Sequence, residues 1–460
     1  MSIANLSCPG VLALVLGIGS PILAANNPAL EATVDAYLAP LLDLDLISGS
    51  ILIAKGDEIL LAKGYGLANR EHGIPNTPET KFRLGSMTKQ FTAMGILVLA
   101  NQGKLSLDDP LAKYLPDYPN AEKITLHQLL SHTSGVLSYN AVEGYGENYI
   151  KPWSIDEVID WFKDEPLQFQ PGEDWAYSNS GYILAAKVIE VVSGQDYDDF
   201  LREAVFEKLG MEDTGQDVFT TILPNRATGY GNAEREIYSA PYRDMPFTSG
   251  AGSLYSTVLD LYKWDRALYT DTLVSKESLD EMMTPVKKDY AYGWFVREEF
   301  GHKLVEHGGA INGFLSQSQR FVEDDLVVIS LFNYESTFWR TVNKGLAAIA
   351  LGEEYEPALL TEPLVLDLEL LETYIGEYEV MEDYLVTLTV EDGHLVIRAT
   401  DDPEPSVGRA QSETKFFFPE INLMMDVDQD EEGKVTGLRF LQGAHRMSAS
   451  PVEDPAEPES

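Results

Sequence analysis

The spacing of apolar positions along the chain predicts helices in some stretches and strands in others. Apolar residues recur at helical spacing over 30–44, which predicts an amphipathic helix. Two runs rich in β-forming residues follow at 47–54 and 58–66, and the Lys55-Gly56-Asp57 turn signal between them predicts a hairpin. Further strand patterns come much later, before a helix pattern at 338–350; they lie at 292–296, 303–307, 314–321 and 326–332.

Between these two groups of strands the pattern is mostly helical. One helix is predicted over 87–102 and another over 181–192, each followed by a glycine. Capping-box spacing opens two more, at Thr125 with Gln128, in a helix expected to stop near Gly135, and at Thr257 with Asp260. Because the strands lie at both ends, we expect one sheet assembled from distant segments with an inserted helical lobe. This is an α/β (α+β) fold and not a doubly wound parallel sheet.

The C-terminal part of the chain has a different pattern. A linker rich in Glu, Pro and Leu is predicted at 352–367, after a domain covering 26–351. Short strand-like runs without a helical pattern then predict a small all-β barrel over 368–450; they lie at 373–380, 384–390, 394–399, 415–418, 422–427 and 435–441. The acidic, proline-rich residues 451–460 predict a disordered tail.

The first 25 residues have the features of a leader. An apolar run at 11–24 ends in Ala24-Ala25, and it is too short to span a bilayer. We therefore expect residues 1–25 to be a signal peptide and the protein to be exported, to the periplasm or outside the cell. The first ten residues contain no Lys or Arg, and the alternative is a partly buried N-terminal helix.

Charge and cysteine content exclude several classes of function. The chain has 33 basic and 74 acidic residues and a net charge of −41, so nucleic acids and anionic membranes are poor partners. Its single cysteine, Cys8, precludes an intrachain disulfide and a cysteine-based metal site. The histidines lack the spacings of zinc hydrolases. The run from Asp426 to Asp430 lacks the Gly and Glu of a calcium loop and predicts an acidic hairpin turn.

Two Ser-x-x-Lys tetrapeptides are candidates for nucleophilic chemistry, and their contexts differ. Ser412–Lys415 leads into a predicted strand, where residues three apart point to opposite faces. Ser86–Lys89 opens a predicted helix, where residues three apart are neighbours. A helix N-terminus stabilises a developing oxyanion, and a partly buried lysine can act as a base. The alternative is a capping serine beside a surface lysine.

Two further elements are compatible with this chemistry. Tyr177 and Asn179 are two apart on an extended turn, and offer a phenol and an amide on the same side. His307-Gly308-Gly309-Ala310 lies at the end of a predicted strand; by itself it predicts a turn. The two glycines would let a substrate approach the strand edge, where the Ala310 N–H could donate.

Together with their surroundings, these elements resemble the class C β-lactamase-related, penicillin-binding-protein-like serine hydrolases, in the branch of esterases and D-aminopeptidases. The resemblance runs from about residue 38 to 350 and rests on five ordered blocks, at 83–92, 129–135, 171–182, 251–264 and 307–309. It implies a β-lactamase/transpeptidase-like antiparallel sheet flanked by helices. The C-terminal barrel resembles the lipocalin-like domain of some members, by pattern alone.

The resemblance also implies roles for individual residues. Ser86 would be the nucleophile, Lys89 and Tyr177 would share its proton, and Asn179 would hold the substrate or Lys89. The N–H groups of Ser86 and Ala310 would form the oxyanion hole, beside Gly309 and His307. His132 and Ser134 match the family and are expected to serve structure. No metal or organic cofactor is implied.

One departure from the family bears on the substrate. His307 stands where penicillin-binding proteins and most β-lactamases have the lysine of Lys-Thr-Gly, which attracts a carboxylate. Histidine is mostly neutral at pH 7. We therefore expect an acyl-enzyme hydrolase of esters or small peptides, including D-amino-acid peptides. The alternatives are a D,D-peptidase or β-lactamase, and a non-catalytic binding or scaffolding protein with a hydrolase fold. A homo-oligomer through the C-terminal domain is a further expectation.

Overall fold

The computed structural model describes residues 27–233 and 236–452. The α-helices are α1 Pro28–Asp43, α2 Thr88–Asn101, α3 Leu126–Leu130, α4 Tyr145–Asn148, α5 Ile155–Phe162, α6 Asn179–Ser193, α7 Tyr197–Leu201, α8 Glu207–Leu209, α9 Val258–Ala267, α10 Lys276–Met282, α11 Trp339–Leu351 and α12 Leu368–Glu372. Shorter helical turns lie at Gly85–Met87, Leu111–Lys113, Tyr139–Ala141, Arg202–Phe206, Pro246–Thr248 and Pro419–Ile421.

The strands before the linker are β1 Gly49–Lys55, β2 Glu58–Tyr65, β3 Leu67–Asn69, β4 Ile74–Pro75, β5 Phe82–Arg83, β6 Gly215–Gln216, β7 Tyr230–Ala233, β8 Glu236–Ser239, β9 Leu254–Ser256, β10 Phe295–Glu299, β11 His302–Ile311, β12 Phe314–Phe321 and β13 Leu326–Phe332. Those after it are β14 Gly376–Met381, β15 Tyr384–Glu391, β16 His394–Ala399, β17 Ser406–Val407, β18 Arg409–Ala410, β19 Lys415–Phe418, β20 Leu423–Gln429, β21 Val435–Gln442 and β22 His445–Pro451.

The central sheet joins the two ends of the first domain, as the strand pattern predicts. Its order is β10-β11-β12-β13-β1-β2, all antiparallel, and Gly49 in β1 pairs with Phe332 in β13. Side chains alternate between its two faces. Ile51 and Ile53 pack with α1 and α11, whereas Leu52 and Ala54 pack with α2, α9 and the helical lobe. The sheet is thus covered on both faces.

Several predicted boundaries were wrong. The capping box at Thr125 and Gln128 is present, but α3 ends at Leu130, well before Gly135. It stops there because His132 takes a left-handed backbone conformation, with φ +60°. Strand β10 begins three residues later than predicted, since Gly293, with φ +75°, turns the chain just before it.

The C-terminal strands form one sheet that nearly closes into a barrel, confirming the predicted class. The order runs β17-β16-β15-β14-β22-β21-β20-β19-β18. The two edge strands are consecutive in the chain and separated only by Gly408, whose N–H donates to Leu395 O at 2.8 Å. The acidic run at Asp430 is a hairpin turn, as predicted: Gly433 N donates to Asp430 O at 3.0 Å.

Several elements of this region were not predicted. Helix α12 precedes the first strand, the two-residue strands β17 and β18 form the edges of the sheet, and β22 is the last strand. Pro451, predicted to begin the disordered tail, instead ends β22, opposite Tyr378. The predicted signal peptide and residues 453–460 of the predicted tail lie outside the described residues. No helix in the described part of the chain combines the length and apolarity needed to cross a bilayer.

The C-terminal sheet packs directly on the first domain. The Phe338 and Phe417 rings meet edge to face with centroids 4.8 Å apart. Thr337 Oγ1 donates to Asn422 O at 2.6 Å and accepts from Gly443 N at 2.9 Å. Met424 joins Phe417 in the core formed by α1, α11 and the central sheet. The two parts therefore share one apolar interface.

Candidate active site

Ser86 lies in the middle of the helical turn Gly85–Met87 that leads into α2. Gly85 has φ +52°, a left-handed conformation that suits glycine, and the sharp turn leaves Ser86 partly exposed. Lys89 follows one turn later and is fully buried. Its Nζ lies 3.2 Å from Ser86 Oγ. The structure thus brings together the pair that the i, i+3 spacing predicts.

Two further acceptors hold the Lys89 amine. Nζ donates to Asn179 Oδ1 at 2.7 Å and to Ala251 O at 2.9 Å. Burial holds the pKa of Lys89 well below its usual value, because the charged form loses its hydration. No carboxylate pairs with this amine among residues 27–233 and 236–452 to offset that loss. The neutral amine is therefore favoured.

The hydrogen bonds around Nζ also orient that amine. Ala251 O can only accept, and Asn179 Oδ1 accepts because the amide's Nδ2 donates to Asn140 Oδ1 at 2.5 Å. A neutral amine has two N–H groups, and these two acceptors take both. Its lone pair is then left for the third neighbour, Ser86 Oγ, whose hydroxyl can donate. The arrangement can accept a proton from Ser86.

Tyr177 and Asn179 flank Ser178, the N-cap of α6. Tyr177 was predicted on an extended turn with Asn179; in the structure Asn179 is instead the first residue of the helix. The prediction that both side chains face one site holds, since Lys89 Nζ lies 4.7 Å from the centre of the Tyr177 ring. Burial raises the pKa of Tyr177, although its hydrogen bond to Ser86 lowers it somewhat. The phenol is therefore neutral and can donate a proton.

The His132 ring packs against the ring of Tyr177. Its ring lies 4.3 Å from the Tyr177 ring and 4.5 Å from that of Tyr290, measured between centroids. Its Nδ1 accepts from Ser178 N at 3.1 Å, which holds the start of α6 in place. Burial keeps the pKa of His132 well below its usual value. These contacts agree with the structural role expected for His132.

His307-Gly308-Gly309-Ala310 lies within strand β11, and the prediction that it forms a turn was wrong. Strand β11 continues to Ile311 because β12 pairs with it along its whole length from Leu304. On the other edge, β10 pairs only with residues 302–306, so the edge from His307 onward faces the Ser86 turn.

Glycine is required at position 309 by this close approach. A Cβ on Gly309 would clash with Leu84 O and lie 2.9 Å from Ser86 N. On the opposite side, a Cβ on Gly85 would lie 3.0 Å from Ala310 N. The backbone N–H groups of Ser86 and Ala310 are therefore neighbours, in an arrangement that can hold one oxyanion between them.

His307 is buried and neutral. Nδ1 lies 2.6 Å from Gly308 O and must donate to it, so Nε2 accepts from Tyr290 OH at 3.2 Å. Burial lowers the pKa of His307 to about 3. The expectation of a neutral side chain at this position is supported.

Two cavities meet at Ser86. One, of about 590 Å³, runs along the edge of β11 past His307, and the other, of about 420 Å³, lies on the Asn179 side. Ser86, Ala310 and Ala444 line both. Four large aromatic residues of this domain line neither cavity; they are Trp175, Phe247, Tyr255 and Trp294.

Several contributors to the site carried no sequence signal. Ala251 acts through its carbonyl oxygen, which any residue would supply, and Asn140, which lines the smaller cavity, accepts a hydrogen bond from Asn179. The second Ser-x-x-Lys behaves as predicted, since Lys415 begins strand β19. Within the described ranges, no group of His, Cys, Asp and Glu side chains is arranged to hold a metal ion.

The fold and the site together define a class of protein. The fold is an antiparallel sheet with a helical lobe, and the site is a serine that precedes a helix and faces a buried lysine of that helix. These are the features of serine hydrolases with a Ser-x-x-Lys motif. The Beta-lactamase family model matches residues 30–351, and the chain belongs to this family. It is a serine hydrolase with the β-lactamase/transpeptidase-like fold.

Three relatives illustrate the range of the similarity. Penicillin-binding protein 4* of Bacillus subtilis is 27% identical over 427 residues, which cover 86% of this chain and 93% of that protein. A D-aminopeptidase of Gluconobacter oxydans is 30% identical over 325 residues, covering 68% and 61%. The solved structure of the octameric penicillin-binding protein homologue from Pyrococcus abyssi has a TM-score of 0.64 at 26% identity, covering 92% of this chain and 99% of that one.

Proposed function

We propose that this serine hydrolase acts through an acyl-enzyme on Ser86, with esters and small peptides, including D-amino-acid peptides, as substrates. The observation that carries the proposal is the contact between Ser86 Oγ and Lys89 Nζ at 3.2 Å, in a site where the lysine is buried without a countercharge. A neutral amine beside a serine hydroxyl is what an activated nucleophile needs.

The proton moves between three groups in this mechanism. Lys89 accepts the Ser86 proton as Oγ attacks the substrate carbonyl, and a tetrahedral oxyanion forms. Tyr177, hydrogen-bonded to Ser86, passes a proton to the leaving alcohol or amine and recovers one from Lys89. Water then attacks the acyl-enzyme with the same groups acting in reverse, and Ser86 regains its proton.

The N–H groups of Ser86 and Ala310 stabilise the oxyanion. Gly309 permits this arrangement because the Ser86 turn lies directly against it. Backbone donors held by a strand and a helical turn need no rearrangement as the charge develops, and one such donor is worth about 10²–10³ in rate. Asn179 keeps the Lys89 lone pair directed at Ser86.

The neutral His307 bears on which substrates are preferred. With a pKa of about 3, it offers no positive charge to a substrate carboxylate near the β11 edge. At this position, esters and peptides without an obligatory carboxylate therefore fit better than penicillins, whereas Arg297, Arg340 and Lys344 line other parts of the same cavity. The D-aminopeptidase relative supports the peptide part of the proposal.

A second candidate is a penicillin-reactive D,D-peptidase or β-lactamase. The similarity to Penicillin-binding protein 4*, which extends over 86% of this chain, favours it. Mass spectrometry after exposure to benzylpenicillin separates the candidates: a stable adduct on Ser86 indicates a peptidase of this kind, and rapid product formation a β-lactamase. If benzylpenicillin does not react with the protein, the proposal of an ester and peptide hydrolase is favoured.

The direct test of the nucleophile is labelling with a fluorophosphonate, followed by intact-protein mass spectrometry. We expect one adduct that is lost in Ser86→Ala and retained in Ser412→Ala, the matched control from the other Ser-x-x-Lys tetrapeptide. An adduct that survives in Ser86→Ala would place the reactive nucleophile elsewhere and overturn the proposal. No adduct on folded wild type would also overturn it and would favour the non-catalytic binding protein.

Export and oligomerisation complete the proposal. The leader-like residues 1–25 support export, which N-terminal sequencing of the secreted protein tests.

The octameric homologue from Pyrococcus abyssi, which covers 92% of this chain, supports a homo-oligomer. Light scattering of the full chain beside a truncation ending near Leu351 tests whether the C-terminal domain forms it.

A further inference from the structure

The C-terminal sheet reaches the candidate active site at a single hairpin. Strands β21 and β22 are joined by Gly443 and Ala444, with Gln442 paired to His445 across the turn. Gly443 takes φ +55°, which suits two-residue hairpin turns. Ala444 lines both cavities that meet at Ser86, and His445 lines the smaller one. A residue 358 positions along the chain from Ser86 is thus part of the same cavity wall.

The hairpin is fixed in position by the catalytic domain. Gly443 N donates to Thr337 Oγ1 at 2.9 Å in a buried contact, and Thr337 itself donates to Asn422 O on the adjacent part of the sheet. Ala444 packs against the apolar core that contains Phe338 and Phe417. Because the turn is held by buried hydrogen bonds and apolar packing, it forms a fixed wall.

The position of Ala444 between the two cavities bears on the length of substrate that the site can accept. The 590 Å³ and 420 Å³ cavities lie on either side of Ser86, and a substrate that extends into both has to pass Ala444. A short substrate can occupy one cavity only. The side chain of alanine is a single methyl group, and a larger side chain at this position would take up space in both cavities.

We propose that Ala444 is a specificity-determining residue, through which the C-terminal sheet sets the length of substrate that reaches Ser86. The inference rests on the proposed reaction at Ser86 and adds a selectivity that the catalytic domain lacks by itself. Extended substrates, such as long-chain esters or peptides with residues on both sides of the scissile bond, would react at a rate that depends on the side chain at this turn.

The experiment compares Ser86 labelling rates for ethyl and octyl fluorophosphonates, measured by intact mass, in Ala444→Trp and Ala444→Leu. We expect Ala444→Trp to lower the octyl rate at least tenfold and the ethyl rate less than threefold, with Ala444→Leu in between. The matched control is Glu431→Trp, in the exposed turn between β20 and β21 of the same sheet, which should change neither rate. Circular dichroism confirms that each variant is folded.

The outcomes separate the two proposals. If wild type gives no Ser86 adduct with either probe, the proposed function fails and this inference with it. If wild type is labelled but both Ala444 variants keep the wild-type ratio of octyl to ethyl rates, the inference alone is overturned. An equal fall of both rates would also overturn it, because the turn would then act on Ser86 itself and not on substrate length.

Discussion

Lys89 Nζ lies 2.7 Å from Asn179 Oδ1, and this contact joins the helix that begins beside the serine to the helix that begins with the amide. The amide is polarised but uncharged, so it positions the amine without stabilising its protonated form as a carboxylate would. The low pKa of Lys89 therefore depends on what stands at position 179 as well as on burial.

Asn179→Asp tests this dependence. A carboxylate 2.7 Å from Nζ favours the ammonium, so the pKa of Lys89 should rise. Wild-type activity should fall as the pH drops through the lowered pKa of Lys89, since the amine is then protonated. In the variant that fall should begin at least one pH unit higher, so that activity on the acidic side of the wild-type transition is roughly tenfold lower than in wild type. The pH dependence of kcat/KM measures both.

The control for this variant is Asn148→Asp. Asn148 also accepts from a lysine, Lys151, at 2.6 Å, but the pair is exposed and lines neither cavity at Ser86. Its substitution should leave the pH profile unchanged. An identical profile for Asn179→Asp and wild type would show that Lys89 is not the titrating base.

His307→Lys tests the substrate preference. A lysine on the edge of β11 would bring a positive charge toward the substrate, where the neutral histidine has none. We expect kcat/KM for a carboxylated substrate, relative to its methyl ester, to rise about tenfold, corresponding to ~1.4 kcal/mol. His302→Lys, at the start of the same strand, is the control. An unchanged ratio would mean that position 307 does not contact the carboxylate.

Gly309→Ala tests the oxyanion arrangement. The new methyl group would meet Leu84 O and Ser86 N, and has to push the strand away from the serine turn. We expect a loss of about 10²–10³ in kcat, the usual effect of one oxyanion donor. Gly146→Ala is the matched control, since a Cβ there meets nothing within 4 Å. A variant that folds and retains full kcat would contradict the assignment.

Thr337→Val tests the attachment of the C-terminal sheet. The substitution keeps the side-chain shape but leaves Gly443 N and Asn422 O without their buried partner. The free energy of unfolding should fall by about 1–3 kcal/mol, the cost of an unsatisfied buried group. Chemical denaturation measures it, with Thr221→Val at an exposed position as the reference. Equal stability of the two variants would show that the contact contributes little.

The parts of the molecule that could be predicted from sequence are those set by local spacing. Ser86 and Lys89 meet because three residues make nearly one helical turn, and β12 and β13 have the bounds that their strand patterns predict. Strand β22 was missed since Ala449 is its only buried residue, so it has no alternating pattern.

The rest of the site depends on contacts between distant segments. Tyr177 and the edge of β11 were found through resemblance, since no local spacing links them to Ser86. The strand around Gly309 was mistaken for a turn because glycine pairs often mark turns, whereas here they permit close packing. The position of Ala444 beside Ser86 results from the packing of two domains. The amino-acid composition of its hairpin does not predict that packing.

The pairing of β1 with β13 has a consequence for how the chain acquires its structure. Gly49 lies opposite Phe332, so the central sheet cannot be completed until nearly all of the catalytic domain has left the ribosome. Closing so long a loop carries an entropic cost and slows folding, because few local contacts compensate for it. Until then the apolar strand β1 lacks its partner β13, which is also apolar, and this is the stage at which aggregation competes with folding.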